Sequence, residues 1–117
     1  IFSGPPMDNM SRYLVPQECG GRTGVRWLKA ADRQGHELTF TAQERPFDMN
    51  VLPYTALELE NALHREELCV PPRYTIISVL GAQRGVGGDD SWGAPVHEEY
   101  EISGERDAQV KFVIQGS

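Results

Sequence analysis

Several short stretches of this chain alternate apolar and polar side chains with a period of two, and this beat constrains the fold more than anything else. Leu38, Phe40 and Ala42 interleave with Thr39, Thr41 and Gln43; Val25 and Trp27 flank Arg26; Phe47, Met49 and Val51 resume the pattern after Pro46. Tyr100 and Ile102, then Val110, Phe112 and Ile114, repeat it near the end. A strand turns successive side chains to opposite faces, so the pattern predicts half-buried strands. Asp32-Arg33-Gln34-Gly35 reads as a turn, which makes the segments on either side of it an antiparallel hairpin with one wet face, Trp27 being assigned to the core. Tyr74 to Leu80 is apolar on both faces and predicts a central strand covered from both sides.

One helix interrupts the strands. Pro53 ends the third of them, and Thr55-Ala56-Leu57-Glu58 has the form of a capping box, with Tyr54 and Leu59 spaced as a hydrophobic staple. The pattern predicts helix from Ala56 to Arg65, with Ala56, Leu59 and Leu63 on one face. Short strands closely spaced between Gly and Pro turns define the expected class: all-β, an antiparallel β-sandwich with one short helix. Residues 1–12, broken by Gly4-Pro5-Pro6, read as a linker or a segment lying on a surface, and residues 13–117 as the domain.

The 117 residues make about one domain, and the start at Ile1 together with the end at Gly116-Ser117 reads as a piece of something longer. A net charge of −6 with no basic cluster argues against a nucleic-acid surface. No apolar stretch approaches the length of a membrane-spanning helix. Cys19 and Cys69 are read as free thiols, and a single far-apart pair does not set the redox compartment. His36, His64 and His97 have no ligand spacing and read as surface or satisfied histidines.

The stretch richest in chemistry is Gly85-Val86-Gly87-Gly88-Asp89-Asp90-Ser91-Trp92-Gly93. It lacks the third glycine and following helix of a dinucleotide fingerprint, the Lys-Ser/Thr of a phosphate loop, and the alternating oxygen ligands of a calcium loop. Glycosidases of the retaining kind need two carboxylates about 5 Å apart. Asp89-Asp90 and Glu98-Glu99 are sequence neighbours that would point to opposite sides of an extended backbone. No Ser-His-acid or Cys-His arrangement is discernible, so no catalytic residue is assigned. Asp89, Asp90 and Ser91 read as fasteners of the loop. Trp92 has two readings: a core cap, the usual fate of a large aromatic, or an apolar face with one N–H donor that suits a sugar ring.

Five blocks occur in order: Pro16-Gln17-Glu18-Cys19-Gly20, Arg22-Thr23-Gly24-Val25-Arg26-Trp27, Val51-Leu52-Pro53-Tyr54-Thr55, Leu59-Glu60 with Ala62-Leu63-His64, and the loop carrying Trp92. Together they resemble the C-terminal domain of the large β-galactosidases of glycoside hydrolase family two, from about Tyr13 to the end; Cys19 stands where that family often has Asn. The resemblance implies a portion of a supersandwich similar to galactose mutarotases. It implies a parent enzyme that hydrolyses terminal β-D-galactosides such as lactose with retention, its two glutamates lying in a TIM barrel outside these residues. Trp92 matches the family's tryptophan that stacks on the leaving-group sugar, so substrate binding becomes its expected role. The implied partners are the other domains of a parent that is a homo-oligomer. No cofactor is expected on this chain, the parent's magnesium and sodium being bound mainly by other domains. A stand-alone carbohydrate-binding module is the competing reading, and a mutarotase-like enzyme the third, because no His is expected beside a carboxylate.

Overall fold

The computed structural model describes residues 1–84 and 88–117. Among these, the chain runs through a 3₁₀ turn Pro6–Asn9, strands β1 (Arg22–Val25), β2 (Trp27–Ala31), β3 (Glu37–Ala42) and β4 (Phe47–Leu52), helix α1 (Ala56–Asn61), a 3₁₀ turn Arg65–Glu67, β5 (Ile76–Leu80), a 3₁₀ turn Glu98–Tyr100, and β6 (Phe112–Gly116). The strands form two antiparallel three-stranded sheets, in the orders β1-β4-β5 and β2-β3-β6. That is the make-up of an all-β sandwich with one short helix, as the alternation predicts. The chain divides into two compact units: Ile1–Arg22 with Met49–Val79, and Thr23–Asp48 with Leu80–Ser117.

The second unit is built on the predicted hairpin. Asp32 Oδ1 accepts the N–H groups of Gln34 (2.7 Å) and His36 (2.9 Å), and the Asp32 N–H donates to the His36 carbonyl at 3.0 Å. These bonds fix the register: Trp27 lies opposite Thr41, Leu28 opposite Phe40 and Lys29 opposite Thr39. Paired residues share a face, so Trp27, Lys29, Thr39 and Thr41 form the wet side. On the other side Phe40 faces Ile114 and Ala42 faces Phe112 of β6. The rings of Phe40 and Phe47 each lie 6.2 Å from that of Phe112, and Phe47 is almost completely buried.

Trp27 is therefore not core, contrary to the sequence expectation: half of its surface is exposed. The chain breaks at Arg26 and passes from one sheet to the other, so the alternation of β2 starts afresh and Leu28 and Ala30 take the covered side. A second correction concerns residues 100–102. Glu98–Tyr100 is a 3₁₀ turn and not a strand, because the Tyr100 N–H donates to the His97 carbonyl (2.9 Å) and the Glu101 N–H to that of Glu98 (3.2 Å). Tyr100 and Ile102 are both exposed, so their alternation has no face to bury.

In the first unit Leu52, Tyr54, Leu59, Ala62 and Leu68 pack into one cluster, with Met10 and Cys19 against it. The capping box forms in full: Thr55 Oγ1 accepts the Glu58 N–H at 3.1 Å, and Glu58 Oε2 accepts the Thr55 N–H at 2.8 Å. Both staple residues are buried. The helix is shorter than expected, ending at Asn61 where the pattern suggested Arg65. Ala62 takes the buried position expected of Leu63, which is exposed. The Leu63 N–H is taken by the Glu67 carboxylate at 3.0 Å instead of by a helical carbonyl.

The strand expected to be central, β5, stands at the end of its sheet, with β4 in the middle. Its residues are all half-buried, whereas β4 buries Phe47, Val51 and Leu52. A run that is apolar on both faces reports what covers the faces; it says nothing of what pairs along the edges.

Candidate functional site

The described part of the glycine-rich loop begins at Gly88; Gly85, Val86 and Gly87, singled out in the sequence, lie outside the described residues. The two adjacent carboxylates have separate partners. Asp90 Oδ1 accepts the Trp92 N–H at 2.8 Å and the Ala94 N–H at 3.1 Å. A short carboxylate reaching backbone N–H groups two and four residues on is the usual way an aspartate shapes a turn. Gly93, between those two donors, has φ of 89°, which a side chain would resist. Asp89 Oδ2 meets His97 Nε2 at 2.6 Å across eight positions of sequence.

At the centre of this arrangement Trp92 is 93% exposed. The ring belongs to no core cluster, and its backbone is tied on both sides while its indole faces solvent. Chemically the loop offers a flat apolar surface and one N–H, with carboxylates nearby that are already engaged. Asp89 and Asp90 act as fasteners, in keeping with the sequence expectation, and they do not share a centre where one could give and the other take a proton.

All three histidines lie beside carboxylates, which the sequence reading did not anticipate. His36 Nδ1 is 2.8 Å from Asp32, His64 Nδ1 is 3.0 Å from Glu67, and His97 pairs with Asp89. The first two are separated by four and three residues, a spacing that could have signalled them; the third is visible only once the loop is folded. All three pairs are open to solvent. The His36 hydrogen bond is the main cause that lowers the Asp32 pKa, and the His64 hydrogen bond is the main cause that lowers that of Glu67. Burial pushes the Tyr54 hydroxyl pKa up, and that hydroxyl donates to the Cys69 carbonyl at 3.0 Å.

Cys19 and Cys69 are both free. Among the described residues no three His, Cys, Asp or Glu side chains cluster in a way that could hold a metal, and no helix is long and apolar enough to cross a membrane. The second unit also carries a small polar cleft beside Gln43, Pro46, Gly81 and Gln109; its Lys111 and Glu44 pair with each other at 2.8 Å.

Comparison with known proteins places these residues in context. A family model described as beta galactosidase small chain matches residues 1–114. The chain is similar to a β-galactosidase of Halalkalibacterium halodurans, with 46% identity over 97% of this chain and 11% of that protein. It is similar to one of Lactobacillus delbrueckii subsp. bulgaricus, with 43% identity over 98% of this chain and 11% of that protein. A β-galactosidase small subunit of Latilactobacillus sakei is 44% identical over 87% of this chain and 35% of its own length. The chain thus spans about a tenth of the length of the first two relatives and about a third of the third.

Proposed function

The chain belongs to the beta galactosidase small chain family, and from that premise we propose that it is the C-terminal, supersandwich-type part of a retaining β-galactosidase, supplying a sugar-binding tryptophan and none of the reacting carboxylates. The parent would cleave terminal non-reducing β-D-galactosides such as lactose. The observation that carries this reading is near-complete coverage of this chain by β-galactosidases of which it makes up so little. Residues 13–117 are the domain in this reading, and 1–12 its lead-in. The reaction centre belongs to residues outside this chain, and the magnesium and sodium of the parent are bound mainly by its other domains. The remaining domains of the parent are its partners, in a parent that assembles as a homo-oligomer.

Trp92 is the substrate-binding residue in this proposal. Its support is the exposure of the ring and the tight fastening of its backbone. A sugar presents C–H patches that pack on an aromatic face, with hydroxyls at the rim for polar partners. Such a contact sets the position of the leaving-group sugar without joining in bond cleavage. The test is direct: the 117-residue chain alone is expected to show no galactoside hydrolysis, and the parent carrying Trp92→Ala to bind lactose less well. Turnover by the isolated chain would defeat the first half of the proposal.

A further inference from the structure

We infer that His97 is a positioning residue for Trp92: its hydrogen bond to Asp89 closes the loop across its base and holds the ring where a sugar can meet it. This rests on the reading of Trp92 as the sugar platform and names what keeps that platform in place. Most binding-site aromatics are oriented by the packing of their own rings. Trp92, at 93% exposed, has almost no such support. What places the Cα–Cβ bond that carries the indole is the path of the backbone from residue 88 to residue 97.

Among the described residues, three side-chain hydrogen bonds act along that path, and they divide the work. The Asp90 carboxylate accepts two N–H groups from within the turn, those of Trp92 and Ala94, and so shapes the tip. Neither bond ties the tip to its two stems. The Asp89–His97 contact does that, joining the residues at either end at 2.6 Å. Without it the turn keeps its local shape but is no longer held to His97. A platform that must be ordered at the moment of binding loses affinity by the ordering it has to supply. The pair is open to solvent on both sides, with side-chain exposures of 56% and 65%, so its effect on affinity is modest.

Steady-state kinetics on lactose with the parent enzyme test this. His97→Ala is expected to raise KM by about two- to fivefold with kcat unchanged, the range set by exposed side-chain pairs. His97→Gln, which keeps a side-chain N–H for Asp89, should recover most of the loss. The decisive arm is a cycle with Trp92→Ala: once the ring is gone, removing His97 should change KM no further. If His97→Ala matches the unaltered enzyme while Trp92→Ala raises KM, the latch is wrong and the platform stands. An equal rise from His97→Ala in both backgrounds also overturns the latch, since His97 would then act independently of the ring. If Trp92→Ala leaves KM unchanged, the platform reading itself falls, and the latch with it. Melting curves of each variant separate a loss of fold from a loss of position.

Discussion

Gly20 shows how much one residue can decide. It lies at φ of 73°, and a Cβ there would stand 2.5 Å from the Asn9 carbonyl oxygen, a backbone atom with little room to yield. Around it, the Asn9 side chain donates to the Val51 carbonyl and that of Asn50 to the Cys19 carbonyl, so the early segment is stitched onto β4. Gly20→Ala is expected to cost about 2 kcal/mol or more in denaturant unfolding. A change within experimental error would show that the segment relaxes away from the clash. The paired carboxyls give a second residue-scale expectation. Asp32, Glu58 and Glu67 all ionise more readily in the folded chain than in the unfolded one, by hydrogen bonding to His36, to the Thr55 N–H and hydroxyl, and to His64 respectively. Their contribution is complete above the ordinary carboxylate pKa of about 4 and is lost as pH falls through the lower folded values. Glu67→Gln should therefore be less stable than the parent sequence at neutral pH, and the gap should close in acid. A gap that stays constant from pH 7 to pH 3 would contradict this.

At the scale of elements, the capping box, the staple and the β2–β3 hairpin were legible because each is written in adjacent residues. Thr55→Ala removes an N-cap acceptor and is expected to cost about 1 kcal/mol. Leu59→Ala, at a site 1% exposed in the centre of the first unit, is expected to cost about 2–5 kcal/mol. Equal losses from the two would mean that the helix is held by its cap as much as by its packing. What the sequence hid were facts of pairing and phase. Nothing in Val25-Arg26-Trp27 announces that the chain changes sheets in its middle, so the alternation alone puts Trp27 on the wrong face. Nothing in Ile76–Leu80 says that β4, and not β5, has neighbours on both edges. The Asp89–His97 contact is of the same kind: it depends on a loop closing, and neither residue predicts the other.

For the whole molecule, the family was legible from five short blocks in order, although no block carries it alone, and the match over residues 1–114 bears that out. Trp92 was legible as an aromatic on a glycine-bounded turn; its exposure was not, because the same residues would also build a core cap. Apolar surface remains open in both units, with Leu14 at 92% and Ile114 at 55%. An edge strand that carries such surface, as β6 does with Ile114, invites pairing with another chain. The isolated 117 residues are expected to self-associate with rising concentration in sedimentation, and a strictly monomeric species at high concentration would count against this.

Strand β6 completes the sheet β2-β3-β6. Glu37 and Ser117 exchange backbone hydrogen bonds in both directions, at 3.0 and 3.2 Å, and Phe112 brings the ring that both Phe40 and Phe47 lie against. On the ribosome, the first unit has all its residues once Val79 has been added, while Phe40 and Phe47 wait for the ring of Phe112 until translation reaches β6. Interleaved in sequence, the two units are nevertheless completed in turn as the chain grows, the first before the second.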